Sequence, residues 1–296
     1  MKRGAGLLVV LAIAGCGGGS TKSAERVKPT ATPAQLPGGG RVIFHAPKRR
    51  IVAFYGNPQD RQLGTLGIGT PAAAAARLKR VAKRYEQPGR PVLPAMELLV
   101  DVATYAPGDS GDYRTRAPNA MIRRYLRAAR SAGAILILDI QPGYSDFLAE
   151  TKRLKRWLRE PDVSLALDPE WHLQPGQIPG QVIGSVDASD VVAVGAWLDD
   201  LAQRLDLPQK VMIVHQFTEG MIGRKELLRP FANVAVVLNV DGFGSAAVKV
   251  AKYRDFARDV PFAFNGFKLF YEEDTGLMSP RRVLRMRPAP DVIVYE

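Results

Sequence analysis

From Ile51 onward, short apolar runs of strand character alternate with segments of helical period, and this alternation constrains the fold more than any other feature of the chain. Eight runs can be counted: Ile51–Tyr55, Val92–Glu97, Ala134–Ile140, Val163–Asp168, Val211–His215, Val234–Asn239, Phe262–Phe267 and Val292–Tyr295. Helices are predicted over Pro71–Glu86, with Thr70 as N-cap and Pro71 at the first helical position, and over Ala120–Ala132, which ends at Gly133. Asp146–Leu158, Ala188–Leu205 and Ser245–Arg258 follow the third, fourth and sixth runs. After the fifth there is only Lys225–Leu228, and after the seventh only a turn at Pro280–Leu284. Such alternation predicts parallel strands joined by crossovers, and eight strands in about 250 residues is the size of a single (β/α)₈, TIM-like barrel. The last run meets the chain end, so the final helix is expected to be lacking. The segment near Val42–Phe44, or the residues before it, is expected to cover that strand instead.

The alternative, an open doubly wound sheet, would want a glycine-rich phosphate loop after its first strand. Tyr55-Gly56-Asn57-Pro58 stands there, and the later Gly64-Thr65-Leu66-Gly67-Ile68-Gly69 lacks the GxGxxG spacing.

The formal net charge of +12 is concentrated at the amino end. Nine of the 41 Lys and Arg residues lie in the first fifty positions beside a single acid, Glu25, while the remaining 246 residues carry 32 basic against 28 acidic groups. No stripe of Arg and Lys interleaved with aromatics is present, so nucleic acid is not an expected partner. Lys2 and Arg3, the apolar run Leu7 to Ala14, and Ile13-Ala14-Gly15-Cys16 follow one another in order. That order resembles the bacterial lipoprotein lipobox, which implies removal of residues 1–15 as a signal peptide and lipid on Cys16, with a membrane as partner. Cys16 is the only cysteine, so there is no disulfide framework. Residues 16–47 are rich in Gly, Ser, Thr, Pro and Ala and are expected to form a flexible tether, leaving 48–296 as the barrel domain.

Active sites of such barrels lie at the C-terminal ends of the strands, so the polar residues there form the candidate set. They are Tyr55, Glu97, Asp139 with Gln141, Asp168 with Glu170, Trp171 and His172, His215 with Gln216, Asn239 with Asp241, and Tyr295. Asn265, Lys268 and Glu296 also stand near strand ends. Alternation of period two aligns Glu97 with small Ala95 and Asp168 with Ser164 and Ala166, which predicts that these two carboxylates point inward; Asp139 shares a face with Ile135, Ile137 and Gln141, which also suits the interior, but the third and fifth runs are apolar on both faces and parity leaves their direction open. The loops Pro107–Arg114 and Leu173–Asp187 are long enough to shape access.

Two carboxylates flanking a cleft suit glycoside hydrolysis. Glu170 would be the general acid, its pKa raised by Trp171 and nearby carboxylates, with Asp168 orienting it and Asp139, Glu97 or Asp241 as partner. Aromatic residues such as Tyr55, Trp171 and Phe217 would stack on sugar faces. The ending Asp168-Pro169-Glu170-Trp171 after Leu165-Ala166-Leu167 resembles the acid-bearing fourth strand of TIM-barrel glycoside hydrolases, several families of which place an Asp two residues before the catalytic Glu. That resemblance implies roles for Asp168 and Glu170 alone. Strand seven carries no carboxylate where the large retaining clan keeps its nucleophile, since Glu272, Glu273 and Asp274 arrive only in the following loop. In this reading no cofactor is needed and a glycan is the partner. Two other readings stand beside it. A metal-dependent hydrolase or phosphodiesterase would gather Glu97, Asp139, Asp168, Glu170 and His215 around a divalent ion. A noncatalytic barrel would bind a glycan or a protein partner through the same residues.

Overall fold

Eight strands pair side by side and in parallel until the last meets the first, which leaves no free edge in the barrel. In the computed structural model, which describes residues 33–46, 48–108, 110–257 and 259–296, these strands are β1 (Arg50–Gly56), β2 (Val92–Ala103), β3 (Ile135–Ile140), β4 (Val163–Leu167), β5 (Lys210–Gln216), β6 (Val234–Val240), β7 (Phe264–Leu269) and β8 (Val292–Tyr295). Closure comes from β1, which lies between β8, with Ile51 opposite Val292, and β2, with Tyr55 opposite Glu97. The protein is therefore a closed eight-stranded parallel α/β barrel. Cys16 and the expected signal peptide lie outside the described residues.

Period-two alternation builds two cores. Ile51, Ala53, Leu93, Ala95, Ile135, Ile137, Ala166, Val211, Ile213, Val237, Val292 and Val294 fill the interior. The alternate residues, among them Val52, Met96, Leu136, Leu165, Met212, Leu238 and Ile293, face the surrounding helices. Those helices are α1 (Pro71–Lys83), α2 (Asn119–Ala132), α3 (Phe147–Arg153), α4 (Lys155–Leu158), α5 (Ala188–Arg204), α6 (Ala246–Phe256) and the single turn α7 (Pro280–Val283). Thr70 caps α1 through the Ala73 amide, and Gly133 ends α2 in the left-handed conformation that glycine adopts without strain. No α-helix follows β5, whose connection holds two 3₁₀ turns and a two-residue strand, Ile222–Gly223, paired with Val186–Asp187. None of the described helices is long and apolar enough to cross a membrane.

Three expectations are corrected. The helix foreseen over Asp146–Leu158 is broken at Leu154, whose backbone turns out of helical geometry. The seventh strand starts two residues later than expected, because Ala263 closes a turn onto the Val260 carbonyl. The third concerns residues 33–46, expected to be part of a flexible tether. They pack beneath the barrel at the N-terminal ends of the strands: Leu36, Ile43 and Phe44 are buried, Phe44 stacks on Phe264 with ring centroids 4.3 Å apart, and the Ile43 amide donates to Gln209. Large apolar side chains in an otherwise small and polar segment supply the reason. This segment plugs the barrel floor and does not cover β8. The outer face of β8 is covered by Tyr85 and Tyr271, which pack on Tyr295.

At the opposite end, β2 outlasts its neighbours, shifts register between Leu99 and Asp101, and pairs antiparallel with Arg114–Arg116. A buried ion network ties this extension to α3. Glu150 accepts from Arg114 at 2.7 Å, Arg116 at 2.8 Å and Arg153 at 2.7 Å, and Arg153 grips both oxygens of Asp101 at 2.6 and 2.7 Å. Burial would raise the Glu150 carboxyl, but the hydrogen bonds from Arg116, Arg153 and Ser145 outweigh it and hold the group at about 2.

Candidate active site

Every strand delivers a polar side chain to the C-terminal end of the barrel interior. In strand order they are Tyr55, Glu97, Asp139, Asp168, His215, Asn239 with Asp241, Lys268 and Glu296, and all except Glu296 are buried. They form two connected groups.

The deeper group centres on His215. Its Nε2 lies 3.1 Å from Glu97 Oε1 and 3.2 Å from Asp139 Oδ2, and its Nδ1 lies 2.9 Å from Asp241 Oδ2 and 3.1 Å from the Asn239 amide. Gly266, on the neighbouring strand, leaves the room Asn239 needs, since a β-carbon there would collide with the Asn239 side chain. Burial disfavours charge on His215, yet the three carboxylates outweigh it and raise the imidazole well above its ordinary range. Burial raises Glu97.

The upper group surrounds Lys268. The ammonium sits 2.7 Å from Glu296, 3.1 Å from Asp241 and 3.7 Å above the centre of the Tyr55 ring. Tyr55 donates to Asp168 at 3.4 Å, and the Gln141 amide donates to both Tyr55 and Asp168. Burial, reinforced by the charge of Asp139, raises Asp168 well above the carboxylate range. Asp241 goes the other way: burial alone would raise it, but Lys268 and His215 hold it well below the usual range.

Above this floor opens a cavity of about 250 Å³, walled by Glu170, Trp171, Phe217, Phe243 and Phe270 as well as by Asp168 and Asp241. Glu170 and Trp171 stand on a 3₁₀ turn, Pro169–Trp171, that proline starts directly after β4. The long loop that follows returns over this turn, with the Gly184 amide donating to the Glu170 carbonyl at 2.7 Å. Burial first, and then the charge of Asp241, push the Glu170 carboxyl up to about 7. A wider groove of about 730 Å³ shares Gln62, Glu273 and Glu296 with this cavity.

Of the residues singled out from sequence, Tyr55, Gln141, Asp168, Glu170, Trp171 and Asp241 line the cavity. Glu97, Asp139, His215 and Asn239 lie one layer beneath it. Three others are not brought to the site. Gln216 shares the outward parity of Met212 and Val214, and its amide braces the Thr218 carbonyl at 3.2 Å. Tyr295 likewise faces outward, its hydroxyl 2.6 Å from that of Tyr85. His172 turns away from the cavity, held 2.7 Å from the Ser185 carbonyl and tilted against Phe147. Tyr55 offers no open face for stacking: it is buried, and Lys268 lies over one side of its ring. Lys268 and Glu296, noted near strand ends but left out of the candidate set, line the cavity, as do Phe243 and Phe270, which were not foreseen. For Lys268 the signal was present in the sequence: Lys268 shares its strand face with Gly266 as Glu97 does with Ala95.

No protein-family model matches the chain, and no curated protein matches it. Among solved structures it is similar to oxaloacetate acetylhydrolase in complex with the inhibitor 3,3-difluorooxalacetate, at 13% identity over 88% of this chain and 75% of that one, with a TM-score of 0.47. The barrel assignment stands on the strand pairing itself.

Proposed function

We propose that the protein is a hydrolase that cleaves a glycosidic bond by acid catalysis, with Glu170 as the proton donor, and that lipid on Cys16 holds it on the outer side of a bacterial membrane. The observation that carries the catalytic reading is the opposite displacement of two carboxyl groups in one cavity. Glu170 keeps its proton to about 7, whereas Asp241 stays ionised. Glycoside cleavage asks for that pairing, an acid that protonates the leaving oxygen and a carboxylate that faces the developing positive charge of the sugar. Asp241 is fully engaged by Lys268, His215 and the Gly242 amide. It therefore acts as a fixed negative charge. Trp171, Phe217 and the 61% exposed Phe243 supply apolar faces for sugar rings, and the adjoining groove gives a longer chain room to lie. The address rests on the lipobox resemblance and on the tether-like composition that follows it.

Turnover of a glycan panel by wild type and Glu170→Gln tests the acid. A loss of at least about 100-fold with an intact far-UV spectrum is expected, and retained activity removes Glu170 from the role. Glycan affinity without turnover at high protein concentration would make the barrel a binding protein instead. Cys16→Ser should move the protein from the membrane fraction to the soluble one; an unchanged membrane fraction would overturn the lipid anchor.

A further inference from the structure

Beneath the cavity floor, Glu97, Asp139 and His215 each offer a ligand atom within 4.8 Å of the others, and all three side chains are at most 1% exposed. Hydrogen bonding alone leaves this cluster incomplete. The single proton that His215 Nε2 can carry serves one acceptor, and the geometry gives it to Glu97. Asp139 then has no hydrogen-bond partner on either oxygen, and Glu97 Oε2 has none either. Such buried atoms are costly unless something binds them. Lys268 is committed to Asp241 and Glu296.

We propose that Glu97, Asp139 and His215 bind one divalent transition-metal ion, with Asp241 as the residue that orients the imidazole. Three features fit. Asp241 accepts from Nδ1, so Nε2 is the nitrogen that would exchange its proton for the ion, the arrangement in which a carboxylate backs a metal-bound histidine. Separations of 3.1 and 3.2 Å from Nε2 to the two carboxylate oxygens are the edges of a coordination shell with bonds of about 2.1 Å. Two carboxylates neutralise a dication, and a donor set of one imidazole and two carboxylates without a thiolate suits Zn²⁺ or Mn²⁺. The ion lies below Tyr55, Gln141 and Asp168, so it ties β2, β3 and β5 together under the cavity. This site does not depend on the role of Glu170.

The test is metal binding by the full chain after chelation and dialysis. Titration with Mn²⁺, followed by loss of the free-ion EPR signal, and elemental analysis after Zn²⁺ loading should both give one ion per chain, with a higher melting temperature. Asp139→Asn and Glu97→Gln should each weaken binding by at least about 100-fold, and Asp241→Asn by about 10–100-fold. Glu170→Gln should bind as wild type does, which separates this site from the acid assignment. Circular dichroism identifies any variant that has failed to fold. A wild-type chain that retains no stoichiometric ion, or a folded Asp139→Asn that binds as tightly as wild type, overturns the proposal.

Discussion

Glu170 and Asp241 stand in one cavity and are driven apart, the first kept neutral by burial, the second kept charged by Lys268 and His215. Turnover should therefore decline as pH rises through about 7, where Glu170 gives up its proton, and Glu170→Gln should remove that limb. The same displacement has a sign for stability. An unfolded glutamate releases its proton near ~4.3, the folded one near 7, so the native state loses stability as pH climbs through that interval, by about 3–4 kcal/mol. Glu170→Gln lifts the penalty: at pH 8 the variant is expected to melt above wild type, with the two melts converging below about pH 4. A variant that melts lower at pH 8 would show that Glu170 braces the fold. Part of this was legible in strand parity, which pointed Glu97 and Asp168 inward but left Asp139, on a strand apolar on both faces, undecided. Parity also separates Gln216 and Tyr295 from the site once it is counted from the core and not from the strand end. It could not aim Glu170, which stands on a turn where period two has ended. Nor could it foresee the displacement of Asp241, which depends on a lysine from the next strand.

At the scale of elements, the rim at the end of β2 is held by a network of charges. Glu150 clamps the end of β2 and its antiparallel partner strand to α3 through three arginines. Its carboxyl is depressed to about 2, so the stabilisation is fully present above the unfolded value near ~4.3 and is lost as pH falls through the folded one. Glu150→Gln should lower the unfolding free energy at pH 7 by about 3 kcal/mol, with the gap between variant and wild type shrinking between about pH 4.3 and 2. A gap that persists at pH 2 would mean that the amide fails by shape, not by charge. Helix starts and stops were readable because capping is local: Thr70, Pro71 and Gly133 act within a turn of their own position. The clamp was not, because Arg114 and Arg116 lie 36 and 34 residues from Glu150.

For the whole molecule, the eight-strand count and the lack of an α-helix after β5 followed from the order of periodic segments. The floor did not, because Leu36, Ile43 and Phe44 are too few and too scattered among glycines and prolines to announce a packed element. Phe44→Ala should cost about 3–5 kcal/mol in denaturant unfolding while leaving turnover at low temperature unchanged, since Phe44 packs at the end of the barrel opposite the cavity. A loss below about 1 kcal/mol would make the floor a loose lid. The pairing of β1 with β8 carries a further consequence, for the order in which the chain acquires its properties. Ile51 meets Val292 across nearly the full length of the domain, so the ring of strand ends exists only after the last strand has docked. Until then Lys268 lacks Glu296 and the cavity lacks one wall. A chain interrupted before β8 should be silent and not merely slow.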